Sequence, residues 1–103
     1  MEAAGNISFT DPKGTVTAQG EAKVVLGLEA LEVRPREGGT RSLSLRDIVS
    51  MSSANYLLDI LFFDGSRLRI SGLGRGHDDM TRELHASRNA LIMSDLLMGE
   101  KLR

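Results

Sequence analysis

Arginine dominates the residues of this chain that could do chemistry, and its chemistry is anion recognition through forked hydrogen bonds. Arg34, Arg36 and Arg41 bracket one turn, Arg67 and Arg69 alternate along a strand-like run, and Arg75 stands in the loop that follows. If folding brings two of them together, they could dock an anionic patch of a partner, so all six are candidate partner- or anion-binding residues. Glu32, Glu37 and Asp59 are equally available to neutralise them as cross-strand ion pairs. Near the amino terminus lies a second basic pair, Lys13 and Lys23, with Glu21 between them.

The other chemical motifs are incomplete. Gly72-Leu73-Gly74-Arg75-Gly76 follows a strand and opens a helix, where backbone N–H groups attract anions. Its spacing is neither G-x-G-x-x-G nor a P-loop, and no further strand follows to build a nucleotide site. The expected role is a flexible connection that swings the helix into place. His77, Asp78, Asp79 and His85 are too loosely spaced for a zinc motif and read as cap carboxylates and surface histidine. No serine occupies a G-x-S-x-G elbow. The carboxylate pairs Glu29/Glu32 and Asp78/Asp79 have no visible reason to be buried, as a general acid would need. The reading is therefore no enzyme, no cofactor, no metal and no catalytic residue.

Composition narrows the classes further. Thirteen basic and 14 acidic residues leave a formal charge of −1. That balance disfavours nucleic-acid binding, whose affinity comes largely from phosphate neutralisation. With no cysteine, disulfides and thiolate chemistry are excluded, which fits a cytoplasmic location. No apolar run reaches the ~20 residues of a spanning helix, and Met1 to Ala4 has no signal-peptide pattern. A chain of 103 residues is one domain.

Positioning falls to the elements. Asn6–Thr10 alternates as a short strand, and Asp11-Pro12-Lys13-Gly14 has turn chemistry. Thr15–Ala18 reads as a second strand ended by Gly20, and Ala22–Leu28 as a third, more buried one with a bend at Gly27. Leu31–Arg34 leads into the Pro35–Gly39 turn. Leu43 and Leu45 alternate with Ser42, Ser44 and Arg46, and Asp47–Val49 continues or turns that element. Ser52–Asn55 is the next break. Tyr56–Phe63 is the strongest apolar run, with Leu58, Ile60 and Phe62 on one face. Asp64-Gly65 signals a hairpin to Ser66–Ser71, whose Leu68 and Ile70 point inward.

After Gly76 the apolar period changes to steps of three and four. Met80, Leu84, Leu91 and Met98 predict one amphipathic helix over 77–98. Asp78 and Asp79 suit its positive end, Lys101 and Arg103 its negative end, and Gly99 its stop. Seven strands followed by one helix describe a mainly β, antiparallel domain with the helix laid on the sheet.

That order resembles the pleckstrin-homology-like (PH/GRAM-type) superfold, in its bacterial form. The features that carry it are Leu31-Glu32-Val33 before a Gly-rich turn, Leu43-Ser44-Leu45-Arg46-Asp47-Ile48, the Asp64-Gly65 hairpin, Leu68-Arg69-Ile70 and the closing helix. The resemblance implies a split barrel or orthogonal sandwich whose open end is plugged by the helix. It also implies a non-catalytic interaction or scaffold module for protein–protein contacts, here spanning 1–103; the abrupt end of the sequence at Arg103 leaves two expectations open, a free-standing protein or the amino-terminal module of a longer one. The alternative is a membrane-surface adaptor that binds anionic headgroups through Lys13, Lys23, Arg34 and Arg36. This chain lacks the lysine-rich first strands of many lipid-binding relatives and the tryptophan common in their last helix. A small-molecule or phosphate-binding enzyme, with its pocket near Gly72–Asp79, is the second alternative. Leu57, Leu61 and Phe63 form a second apolar side of one strand, which must be covered by the opposite sheet or by a partner, so a homodimer is expected.

Overall fold

The computed structural model describes the backbone of residues 1–101 and the side chains of residues 1–97. Seven antiparallel strands, β1 (Glu2–Thr10), β2 (Val16–Leu26), β3 (Ala30–Pro35), β4 (Arg41–Ser44), β5 (Ile48–Ala54), β6 (Leu57–Phe62) and β7 (Arg67–Ser71), precede a single helix, α1 (Gly76–Lys101). They form one curled sheet in the order β4-β3-β2-β1-β7-β6-β5. The two edge strands, β4 and β5, are consecutive in sequence yet stand at opposite ends of that order, so the barrel is split between them.

Curling is produced by β1. Its whole length pairs with β2, but only Asn6–Thr10 also pairs with β7. At the point of departure sits Gly5, where a Cβ would lie 2.6 Å from the Ser71 carbonyl oxygen and 2.9 Å from Leu73 Cδ2. Glycine there lets the connection to the helix cross tightly over the strand.

Alternation sets the core. Register pairs Ile7 with Ile70, Val24 with Val33, Leu31 with Leu43 and Ile60 with Leu68 on the inner face. Leu58, Ile60 and Phe62 are buried together, as the period-2 reading expects. Met80, Leu84 and Leu91 of α1 close the open end and are buried against the same cluster.

One strand merger and one strand division differ from the sequence reading, and they cancel in the strand count. Thr15–Ala18 and Ala22–Leu28 are one strand, β2, because Gly20 takes φ 111° and bends the ladder without ending it. The run from Leu43 to Val49 is instead broken by a 3-10 turn, Leu45–Asp47, whose first residue is buried under the helix. Ser44 Oγ accepts from the Arg46 N–H at that turn. Ser52–Ala54 belong to β5, and the break shrinks to Asn55-Tyr56, both with positive φ. That is the backbone a two-residue hairpin requires. The helix runs through Gly99, which is no stop, and Asp78 and Asp79 lie within its first turn. The Met98, Lys101 and Arg103 side chains lie outside the described residues.

Candidate functional site

The sheet divides the eight basic candidates among five places. Lys23 and Arg34 are register partners on the outer face of β2–β3, and Arg36 follows at the end of β3. These three rim a hollow of about 600 Å³ floored by Gly5, Asn6 and Ala22. Each is matched by a carboxylate: Lys23 pairs with Glu2, Arg34 Nε donates to Glu32 Oε1 at 2.6 Å, and Arg36 Nη1 to Glu21 Oε2 at 2.8 Å. The hydrogen bond to Glu32, and then its charge, raise the Arg34 pKa above the ordinary guanidinium value.

Arg67 and Arg69 share one outer face with Asp59, at 3.4 and 3.6 Å, so two cations divide one carboxylate. Arg41 is inward by register and its guanidinium lies 4.9 Å from the Phe9 ring centroid, a cation–π contact. Lys13 is exposed in the β1–β2 turn, where Asp11 Oδ1 accepts from its backbone N–H at 2.9 Å. Arg75 lines a separate hollow of about 460 Å³ with Tyr56, Gly74 and Asp78, and among the described residues it has no ion-pair partner. The structure thus gathers Lys23, Arg34 and Arg36, pairs Arg67 with Arg69, and leaves Arg41, Lys13 and Arg75 apart.

Beside the Arg75 hollow stands an arrangement the sequence did not show. His77 is not a surface residue; it is 3% exposed, its Nε2 2.5 Å from Ser53 Oγ, and its ring meets Tyr56 edge-on at 5.6 Å. A serine hydroxyl on a histidine nitrogen is the beginning of a nucleophilic pair. Here Nδ1 is buried with no hydrogen-bond partner among the described residues, so no third group orients the ring. The pair instead latches the start of α1 to β5. Among the described residues no three of His, Asp or Glu converge as metal ligands.

The far edge of the sheet offers a different kind of surface. Among the described residues β5 pairs only with β6, and its other side has no strand neighbour. Next to that edge, Val49, Tyr56, Leu57 and Phe63 are exposed, Phe63 by 72%, and Leu61 is half-buried. Val49 is the extra residue of a bulge between Ile48 and Ser50. The opposite sheet therefore does not cover the outer apolar side of β6. No helix among the described residues is long and apolar enough to cross a membrane.

No family profile matches the sequence, and no curated protein is similar to it. Solved structures are similar in shape. The pleckstrin homology domain of USP37 superposes with a TM-score of 0.65 at 19% identity, covering 86% of this chain and 97% of that one. The N-terminal PH domain of human ARAP2 gives 0.64 at 10% identity, over 87% and 81% of the two chains. The C-terminal domain of an unknown protein from Leishmania infantum gives 0.58 at 10% identity, over 82% and 80%. At such identities the similarity speaks to architecture alone, and the architecture is PH-like: seven antiparallel strands curled into a half-barrel and closed by one carboxy-terminal helix.

Proposed function

We propose that this chain is a non-catalytic interaction module that binds an extended segment of a protein partner along the β5 edge. The observation that carries this is that β5 has no second strand neighbour among the described residues and that exposed apolar side chains, Val49, Tyr56, Leu57 and Phe63, lie on it and on the residues next to it. Main-chain hydrogen bonds to an edge supply affinity, and neighbouring apolar side chains supply selectivity. The solved PH domains similar in fold support an interaction module, and the Ser53–His77 pair, whose buried imidazole has no third group to orient it, supports the non-catalytic reading. In this proposal the protein is cytoplasmic, and its bacterial PH/GRAM-type character rests on the Asp47-Ile48, Asp64-Gly65 and Leu73-Gly74 order. Self-association belongs to the same proposal.

Selection of peptides from a displayed random library tests the β5 site. Peptides that shift the β5 and β6 amide resonances, and lose binding with Phe63→Glu, are expected. Selected peptides that map to another face would refute the edge as the site.

A second reading, an adaptor for anionic headgroups, is favoured by the hollow that Lys23, Arg34 and Arg36 rim. Their three carboxylate partners oppose it, since an anion must displace them. Co-sedimentation with phosphoinositide-containing vesicles at low and high salt decides it. Salt-sensitive pelleting that Arg34→Ala and Arg36→Ala abolish supports this reading, and no pelleting removes it.

A further inference from the structure

The two ends of β5 are unlike. At the Ile48 end the helix already engages the strand: Arg88 Nη2 donates to the Ile48 carbonyl oxygen at 3.2 Å, and Val49 bulges out of register. Regular pairing with β6 then runs from Ser50 to Ala54, so that stretch is the ladder a partner strand can extend. Its Ala54 end leads into Asn55-Tyr56. There lies the hollow of about 460 Å³ lined by Tyr56, Gly74, Arg75 and Asp78.

Two side chains of that hollow are uncommitted. Arg75 is exposed and, among the described residues, has no carboxylate within ion-pair distance, whereas Arg34, Arg36, Arg67 and Arg69 each have one. Tyr56 stands in left-handed backbone, φ 61°, where glycine is preferred and a bulky side chain is disfavoured. Burial does not offset that cost. The residue is 65% exposed, its ring edge-on to His77 at 5.6 Å. An aromatic wall and an unpaired guanidinium thus share one hollow where the ladder ends, and a guanidinium fork suits a planar anion.

Asp78 limits which anion can enter. Its exposed carboxylate lines the same hollow but forms no ion pair with Arg75 among the described residues. The fork is therefore free, yet a ligand that brings more than one negative charge is repelled. A phosphate group carries about −1.5 to −2 at pH 7 and is disfavoured. A single carboxylate is what the site admits.

We infer that the partner segment carries one acidic side chain, Asp or Glu, just beyond the residue that pairs with Ala54, and that Arg75 receives it. The inference rests on the β5 edge reading and adds to it a requirement on the partner's sequence. Arg75 supplies the charge, Tyr56 the wall, and Asp78 the discrimination against phosphate and acidic runs.

Parallel selections from one displayed random library, on the native chain and on Arg75→Glu, test the inference. Among peptides that shift the β5 amide resonances, those from the native chain should share one Asp or Glu near one end. Those from Arg75→Glu should carry Lys or Arg there. Calorimetric affinities should fall about fivefold or more when that acid becomes its amide or when Arg75 becomes Gln, without a further loss when both are changed. Phosphoserine in place of the acid should weaken binding to the native chain, and Asp78→Asn should recover it. Melting temperatures should be retained, because Arg75 and Asp78 are exposed. Peptides that bind β5 with no acidic preference, or whose acid matters equally on Arg75→Gln, overturn the inference and leave the edge reading standing. Tighter binding of phosphoserine to the native chain overturns the single-carboxylate assignment. Selected peptides that all map to another face overturn the edge reading and this inference with it.

Discussion

Arg46 and Asp95 meet in a two-point ion pair that ties the helix to the 3-10 turn, Nε to Oδ2 at 3.0 Å and Nη2 to Oδ1 at 3.2 Å. They lie 49 residues apart in the chain. Glu29 approaches the same guanidinium at 3.5 Å, so one arginine joins the β2–β3 turn, the 3-10 turn and α1. The hydrogen bond from Arg46 lowers the Asp95 pKa below its ordinary value, and the same bond raises that of Arg46. Because the folded carboxylate holds its proton less tightly than the unfolded one, the pair stabilises the fold above the unfolded pKa. That contribution disappears as pH falls through the lower, folded value. Asp64 behaves likewise, its pKa lowered by the Ser66 hydroxyl and backbone N–H. Thermal melts from about pH 5 down to pH 2 should fall more steeply for the native chain than for Asp95→Asn. Both side chains are largely solvated, so the difference should shrink in high salt. Parallel pH curves would count against the pair.

Ser53 is the only polar partner of a buried imidazole among the described residues. Ser53→Ala should cost about 1–3 kcal/mol, the range for leaving a buried polar atom unmatched. Replacing both groups removes the unmet demand, so Ser53→Ala with His77→Leu should be more stable than Ser53→Ala alone. Urea unfolding of the two singles and the double measures it, and strictly additive losses would show that the two side chains are not coupled.

Gly5→Ala should cost about 2 kcal/mol or more, because the new methyl group meets a backbone oxygen that cannot move without shifting β7. Gly39, with open space around its Cβ position, is the control. Gly39→Ala should be neutral or stabilising by about 0.5 kcal/mol through the unfolded chain. Denaturation midpoints that rank the two the other way would refute the close crossing of β1 by the helix connection.

Leu84→Ala should cost about 2–5 kcal/mol, since the side chain is fully enclosed where α1 closes the barrel. Leu97→Ala, at an exposed position of the same helix, should leave monomer stability within about 0.5 kcal/mol. Chemical denaturation at low protein concentration separates the two. Equal losses would mean that Leu97 is packed within the monomer.

The inward faces are legible in the order of residues alone. Period-2 alternation marks Leu58, Ile60 and Phe62, and Leu68 with Ile70, and the shift to helical spacing marks Met80, Leu84 and Leu91. Each of those patterns is local, because side-chain direction follows from the backbone geometry of a few consecutive residues. The arginine faces are legible in the same way, as alternation on β7 and around the β3 turn.

Which group each side chain meets is not legible there. That Gly20 bends a strand while Leu45–Asp47 divides one depends on which ladder each segment joins, and a ladder partner lies far away in sequence. The matching of Lys23, Arg34 and Arg36 to Glu2, Glu32 and Glu21 follows from strand register and local geometry, which composition cannot rank. His77 has the residue type of a surface helix start, and only the crossing of α1 over β5 buries it against Ser53 and Tyr56. Local periodicity thus determined what kind of element each segment forms and which face it hides. Long-range closure of the sheet decided the partners, because the entropy of bringing distant segments together is recovered only when the whole core assembles.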